Sequence, residues 1–308
     1  MANEINMNVP ILTLDTDTPV ETAQSREDTI WHEIQNAHRT KRILTGVLGG
    51  IEKLDGGASI AIIYYKNFRT IIPVTEMMIN LNMGADHDYG EIALRQNKIL
   101  NNMLGCEVDF IVKGLDNQTR SIVASRKDAM LKKRQIFYLD TTSNGVPKIH
   151  EDRVVQARVV AVAEKVVRAE IFGVETSILA RDLSFDWLGD ARERFHVGET
   201  ILVRMLDVSA DSPEQISVKA DVKSVEGNAS KENLKLCKAQ GKYAGIVEDI
   251  HKGTVFVRLS IGVNAIAHSC YDSRSVGKKD HISFVVTHID DERNVAVGII
   301  TRIIKQNI

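Results

Sequence analysis

The stretch GKKDHISFVVTHID, residues Gly277–Asp290, decides the fold because its pattern occurs three times in the chain. The other two copies are GCEVDFIVKGLD at Gly105–Asp116 and GETILVRMLDV at Gly198–Val208. Each copy is a glycine followed by a largely apolar strand with an aspartate near its end. The glycines are 93 and 79 residues apart, which is the length of one small all-β unit. The sequence therefore predicts three tandem units.

Each copy follows a stretch that can form a helix and precedes one more β-rich run. These runs are IVASRK from Ile122, ISVKADV from Ile216 and VAVGIITRI from Val295. Five short strands and one small helix make up the OB-fold, a small five-stranded barrel, and closure hides the sheet edges that promote aggregation. We expect a mainly β protein of three tandem five-stranded OB-fold barrels, with short connecting helices and an N-terminal amphipathic helix.

Changes in composition and periodicity predict the domain boundaries. Residues 1–24 are polar and acidic, which predicts a disordered tail. An amphipathic helix is expected over residues 25–41, where Ile30 and Ile34 lie on one helical face. The three barrels are predicted at 42–152 with a helical insert, at 153–226 as a divergent copy, and at 232–308.

Composition and missing motifs argue against several classes of protein. The three cysteines include no CxxC pair, which favours a reducing, cytoplasmic location over a disulfide framework or a zinc site. The N-terminal residues do not form a secretory signal, and no apolar run is long enough to cross a membrane. The phosphate-binding loop and the common hydrolase motifs are missing. We expect a non-enzyme with no cofactor and no metal.

The net charge of −2 is unevenly distributed along the chain. Residues 1–40 carry 2 basic and 7 acidic side chains, whereas residues 231–308 carry 12 basic and 8 acidic ones. Because phosphate attracts cations, the last unit is the one expected to bind nucleic acid.

The last unit also contains five segments typical of a known domain. They are Gly245–Ile250, Phe256–Leu259, Gly262–Ser269, Gly277–Ile282 and Ile289–Asp290. Together they resemble the RNA-binding domain of ribosomal protein S-one, which also occurs in polynucleotide phosphorylase and related RNA enzymes. Three positions depart from the pattern, since Gly253 replaces an aromatic residue and Thr254 and Ala265 replace glycines. The first two units resemble the family more loosely.

This resemblance implies single-stranded RNA as the ligand, bound by stacking of its bases and by cations at its phosphates. Phe256 and His268, together with Asp290 and Arg293, occupy positions that match the family's binding residues. Nearby aromatic and basic residues are further RNA-binding candidates: Tyr243, Lys252, Arg258, Tyr271 and Arg274. A second RNA-binding platform is predicted on the first unit: Tyr64, Tyr65, Phe68 and Arg69.

Two other features have less specific interpretations. The basic run Lys132–Arg134 is interpreted as a solvated helix face, and Trp187 as a core or interdomain residue. The RNA hypothesis includes a role in translation or RNA processing, with the ribosome or other RNA-handling proteins as partners. Two alternatives remain open. One is a protein-interaction scaffold, which the acidic second unit favours, and the other is binding of single-stranded DNA.

Overall fold

The computed structural model describes residues 23–54, 59–79, 89–227 and 229–307. The predicted tail at residues 1–24 lies almost entirely outside these ranges. Helix α1 spans Ala23–Thr40 and begins two residues before its predicted start. Its apolar face, which includes Trp31 and Ile34, is buried against the first unit.

The first unit is a closed barrel. Its elements are β1 (Leu44–Lys53), β2 (Ser59–Tyr65), β3 (Phe68–Pro73), α2 (Tyr89–Asn102), β4 (Glu107–Asp116) and β5 (Ser121–Ser125), followed by α3 (Arg126–Arg134). The strands pair in the order β1-β2-β3-β5-β4, and β4 returns to β1. Lys66 and Asn67 both have positive φ between β2 and β3, as a two-residue hairpin turn requires.

The second and third units repeat this strand order. The second contains β6 (Val154–Ala163), β7 (Val166–Ile171), β8 (Val174–Leu179), α4 (Ala180–Leu183), β9 (Thr200–Ser212), β10 (Gln215–Asp221) and α5 (Lys223–Glu226). The third contains α6 (Ala229–Leu234), β11 (Lys242–His251), β12 (Thr254–Leu259), β13 (Asn264–Cys270), β14 (His281–Asp290) and β15 (Val295–Lys305). The third unit closes in the order β11-β12-β13-β15-β14, with β13 parallel to β15. This strand order is that of the OB-fold.

The second unit departs from the predicted closed barrel. Its five strands follow the order β10-β9-β6-β7-β8, and the described residues of β8 and β10 lie side by side without a backbone ladder. One side chain spans this seam, since Thr176 Oγ1 on β8 donates a 2.9 Å hydrogen bond to the carbonyl of Val218 on β10. A hydroxyl therefore replaces the main-chain bonds that close the other two units.

The first strand of each unit bends at a β-bulge, which lets it pair with two neighbouring strands. The bulge follows Leu48, Val159 and Val247 in the three units, and all three side chains are fully buried. In each case the backbone N–H and C=O of this residue both bond to the loop before the fourth strand. The six bonds measure 2.7–3.0 Å, and the loop partners are Gly105 and Cys106, Gly198 and Glu199, and Lys279 and Asp280.

In the third unit, the residue that takes the place of Gly105 and Gly198 is not the glycine predicted from the sequence repeat. Gly105 and Gly198 have φ of 84° and 87°, and the residue that occupies their place is Lys279, with φ of 65°, rather than Gly277. Lys279 adopts a conformation that costs an L-residue about 1–2 kcal/mol. Its ammonium group pairs with Glu248 at 2.9 Å and with Glu193 of the second unit at 2.7 Å.

A buried ion network joins the first two units. Arg126, 1% exposed, starts α3 and donates to Glu175 at 2.6 Å and to Glu170 at 3.2 Å, both in the second unit. Lys133 lies between Glu170 at 3.0 Å and Asp109 of the first unit at 2.5 Å. Burial by itself would raise the pKa of Glu170, but the charges of Arg126 and Lys133 outweigh it and hold that pKa below its usual value.

The interpretation of Lys132–Arg134 as a solvated face is wrong for two of its three residues. Lys133 belongs to the buried network, and Arg134 is 4% exposed. Arg134 donates to the carbonyl of Gly173 at 2.6 Å and to that of Pro213 at 3.0 Å. Helix α3 therefore connects the first unit to two hairpins of the second.

The Gly105 loop provides the first test of the fold. Replacing Gly105 by alanine should lower the free energy of unfolding by about 1–2 kcal/mol, because the residue keeps a positive φ. A Cβ there meets no described atom within 4 Å beyond the adjacent residues, so the cost is conformational. Gly50→Ala is the matched control, since its Cβ site is also open and its φ is not positive. Equal urea midpoints for the two variants would contradict the assignment.

The ion network provides the second test. Arg126→Ala should destabilise the protein by roughly 3–5 kcal/mol at pH 7, because buried Glu170 and Glu175 lose their main cation. Without that cation, burial raises the pKa of Glu170, so the carboxyl can protonate and the deficit should shrink as the pH falls toward 5. In the wild type the pKa is depressed, so its contribution is lost only below the unfolded value of about 4.3. Urea unfolding at both pH values checks this.

The exposed pair of Lys219 and Asp207 supplies the control for that experiment. Lys219→Ala should leave the unfolding midpoint unchanged at either pH, because both side chains are well solvated. A deficit in Arg126→Ala that is small, or that grows on acidification, would show that the network does not couple the two units as described.

Candidate nucleic-acid interface

Residue alternation on β12 and β13 sets which side chains reach the barrel surface. Phe256 pairs with Ile266, while Val257 pairs with Ala265, and both residues of the second pair are fully buried. Side chains alternate between the two faces of a strand, so Phe256 and Ile266 point outward, as does His268 two residues further along. His268 is exposed and Phe256 is half-buried. The predicted pair therefore shares the outer face of the third barrel.

Phe256 is covered in part by the second unit. The ring of Trp187 meets it edge to face, with centroids 4.8 Å apart and an interplanar angle of 84°. Trp187 lies in the connection between α4 and β9, so this contact joins two units, in line with its interpretation as an interdomain residue. An aromatic pair contributes roughly 0.5–1.5 kcal/mol beyond the area it buries. Phe256 therefore has a structural partner as well as an outward position.

Arg258 holds the same connection in place. Its guanidinium group forms a short ion pair with Asp186 and donates to Asn264 Oδ1 at 2.9 Å. Asn264 in turn donates from Nδ2 to the carbonyl of Phe185 at 2.8 Å. Arg258 thus stands in a hydrogen-bond chain between the units, and its charge is already compensated by Asp186.

Two other RNA-binding candidates are also engaged within the third unit. The hydroxyl of Tyr243 accepts a 2.9 Å hydrogen bond from the backbone N–H of Lys238, and its ring packs against the core. Arg274 binds the carboxylate of Asp272 through two 2.9 Å hydrogen bonds and donates to the carbonyl of Ile303. Their positions favour structural roles.

Three candidates gather at one end of the third barrel. Lys252 lies in the turn between β11 and β12, three residues before Val255, which pairs with Ala267. His268 follows Ala267 directly, and Tyr271, 73% exposed, extends β13 by bonding its N–H to the carbonyl of Ile300. All three are exposed. We call Lys252, His268 and Tyr271 the hairpin end of the barrel.

Asp290 and Arg293 lie at the opposite end. They belong to the turn between β14 and β15. Strand β15 begins at Val295, and its next residue, Ala296, pairs with Ala265 at the start of β13. The hairpin end lies about five residues further along β13, or roughly 16 Å away. Asp290 accepts a 3.0 Å hydrogen bond from the N–H of Arg293 and stabilises the turn. The structure therefore does not place this pair beside His268.

The structure places the four residues predicted for a platform on the first unit in different surroundings, and it contradicts the prediction for Tyr65. Tyr65 is 7% exposed and meets Phe110 edge to face inside the barrel, because its position on β2 faces inward. Phe68 packs against Trp31 of α1 with centroids 5.7 Å apart. Arg69 pairs with Glu52 at 2.5 Å. Tyr64 is half exposed, at 51%, and its ring lies against Gly49.

Sequence reasoning missed a cleft between the second and third units. It has a volume of about 440 Å³. Its lining is aromatic and aliphatic with several basic side chains, and consists of Lys165, Ala180, Arg181, Ser184, Phe185, Asp186, Trp187, Leu188, Lys223, Asp249, His251 and Phe256. We call this the interunit cleft. The sequence signal for this cleft is a pair of aromatic residues, Phe185 and Trp187, in a loop that contains aspartate and glycine.

Other site types are not found in the described part of the chain. None of the helices in the described ranges is both long and apolar enough to cross a membrane. Those ranges also contain no group of three or more His, Cys, Asp or Glu side chains placed to hold a metal ion. The three cysteines are unpaired, and burial raises the pKa of Cys106 to about 12.

The known proteins that resemble this chain are found among solved structures. No protein-family model matches the sequence, and no curated protein matches it significantly. A chain in the a/eIF2alpha–aDim2p–rRNA complex from Pyrococcus horikoshii is similar at 13% identity and a TM-score of 0.23, covering 29% of this chain and 60% of that one.

Two further solved structures are similar to this chain. A multidomain protein with nucleic acid binding domains from Streptococcus pneumoniae has 12% identity and a TM-score of 0.19, covering 84% of this chain and 73% of its own. Drosophila Unr CSD456 has 14% identity and a TM-score of 0.19, covering 51% and 63%. Similarities at these scores assign no function to this chain.

Arg258→Ala tests how the second and third units are joined. The change should release the loop that carries Trp187, so the tryptophan emission shifts to the red and stability falls by about 1 kcal/mol. The measurement uses a Trp31→Phe background, because the chain has 2 tryptophans. Arg192→Ala removes an ion pair with Asp190 in the same connection and should leave the emission unchanged. Identical spectra for both variants would contradict the described contact.

Proposed function

We propose that this chain is a non-catalytic, cytoplasmic protein that binds single-stranded RNA with weak sequence preference, using the outer face of its third barrel. The observation that carries the proposal is the hairpin end, where Lys252, His268 and Tyr271 are exposed together on the same barrel surface as Phe256. A flat ring, an imidazole and a cation are the groups that stack bases and neutralise phosphates.

Charge supports the same assignment. The segment 231–308 has a net charge of +4, against −5 for residues 1–40. Within the described residues Lys252 has no ion-pair partner, so its charge is available to a phosphate. The cations of Arg258 and Arg274 are paired with Asp186 and Asp272, which makes them weaker candidates.

The biological setting is the less specific part of the proposal. The resemblance to the ribosomal protein S-one domain favours a role in translation or RNA processing, with the ribosome or other RNA-handling proteins as partners. Three unpaired cysteines are compatible with the reducing cytoplasm.

Binding of fluorescently labelled single-stranded RNA tests the proposal directly. Tyr271→Leu should weaken binding about 5-fold or more, because one stacked base contributes roughly 1–3 kcal/mol. Lys252→Ala should lower the slope of log affinity against log salt by about 0.7, the value for one phosphate of a single strand. Fluorescence anisotropy across a salt series measures both quantities.

Matched variants and ligands complete this experiment. Lys219→Ala on the second unit and Leu236→Ala, which removes an apolar side chain that is 67% exposed, should bind RNA like the wild type. DNA of the same sequence tests whether the 2′-hydroxyl contributes. Absence of RNA binding by the full chain at low salt would refute the proposal, and unchanged binding by Tyr271→Leu and Lys252→Ala would refute the site.

A further inference from the structure

We propose that the interunit cleft is a second contact point for the strand, where one unstacked base inserts and an adjacent phosphate pairs with Arg181. This inference rests on the proposed function, and it extends the binding surface from the third barrel onto the second unit. The cleft volume of about 440 Å³ lies at the lower end of the range of small-molecule pockets, so it fits one nucleotide and not a duplex.

Three aromatic rings give the cleft its affinity for a flat ligand. Trp187 and Phe256 meet edge to face, which leaves ring surface on the cleft side, and both are half-buried. Phe185 is 38% exposed and contributes a third ring at the wall. Stacking of a base needs ring faces and no specific hydrogen bonds, in agreement with weak sequence preference.

The loop that carries these rings is held in position before any ligand arrives. Ser184 Oγ accepts hydrogen bonds from the N–H of Asp186 at 3.1 Å and from Arg194 at 2.9 Å. The carbonyl of Phe185 and the carboxylate of Asp186 are held by the third unit through Asn264 and Arg258. A preformed site avoids much of the ordering cost of binding.

Two basic residues that line the cleft differ in how far their charges are compensated. Lys165 donates to the carbonyl of Gly189 at 2.8 Å and pairs with Asp249 at 2.9 Å, so its charge is compensated. Arg181 at the mouth has a side chain that is 78% exposed, with a weak 3.5 Å contact to Asp182. An apolar interior with a solvated cation at its rim suits a base attached to a phosphate better than an acidic or purely apolar ligand.

The fluorescence of Trp187 reports directly on occupation of the cleft. In the full-length Trp31→Phe variant, single-stranded RNA of roughly eight nucleotides should quench the emission as it binds. Trp187→Leu should weaken RNA binding about 5- to 150-fold, the range for one stacked base. Arg181→Ala should weaken RNA binding and reduce the salt dependence of binding. This second variant still tests the cleft if circular dichroism shows that Trp187→Leu is misfolded.

Phe137→Leu is the control, because it disrupts an aromatic pair with Phe172 outside the cleft and should bind RNA normally. If RNA binds with no quenching and Arg181→Ala binds like the wild type, the cleft inference is overturned and the proposed function stands. If RNA does not bind at all, the proposed function fails and the inference fails with it. Quenching by a protein partner and not by RNA would assign the cleft to protein recognition and overturn the inference.

Discussion

Two backbone hydrogen bonds at the bulge of each first strand hold that strand to the loop before the fourth strand, and the closure of each unit depends on this junction. The first strand has to pair on both sides, and the bulge supplies the bend that two-sided pairing requires. Leu48, Val159 and Val247 fill this position, where a fully buried apolar side chain accompanies a backbone bonded to the loop before the fourth strand. The loop must then turn sharply, which requires a residue with positive φ. The outward direction of Phe256 and His268 follows, because the register of β11 against β12 and β14 sets the inner and outer faces of the third barrel.

The two junctions between units use different chemistry. The first junction is a buried ion network around Arg126, where removing one partner leaves charges without compensation. The second is a mixed contact in which the Trp187 and Phe256 rings, the Arg258–Asp186 pair and an amide hydrogen bond share a partly solvated surface. The first junction therefore favours a single arrangement of units one and two, and the second leaves room for a cleft.

The sequence predicted those parts of the structure that depend on local pattern. Strand alternation and repeated glycines predicted three five-stranded units. Spatial partners were not predictable. Two adjacent tyrosines do not reveal which one faces inward, so Tyr65 was assigned to a platform while its ring lies in the core. The basic run with Lys133 looks solvated because its acidic partners lie 24 and 37 residues away along the chain. Trp187 was recognisable as an interface residue, but the cleft beside it is formed by two separate segments.

The open seam leaves the second unit without the main-chain ladder that closes the other two units. Main-chain ladders close the first and third barrels, whereas β8 and β10 of the middle unit are linked by the Thr176 hydroxyl. Arg134 of α3 also bonds the carbonyls of Gly173 and Pro213, at the turns of the two hairpins that contain these strands. One neutral hydrogen bond contributes on the order of 1 kcal/mol, so the seam depends also on the Arg134 contacts and on the shared core that includes Ile178 and Val218. The middle unit is therefore held closed in part by a residue of the preceding helix, α3.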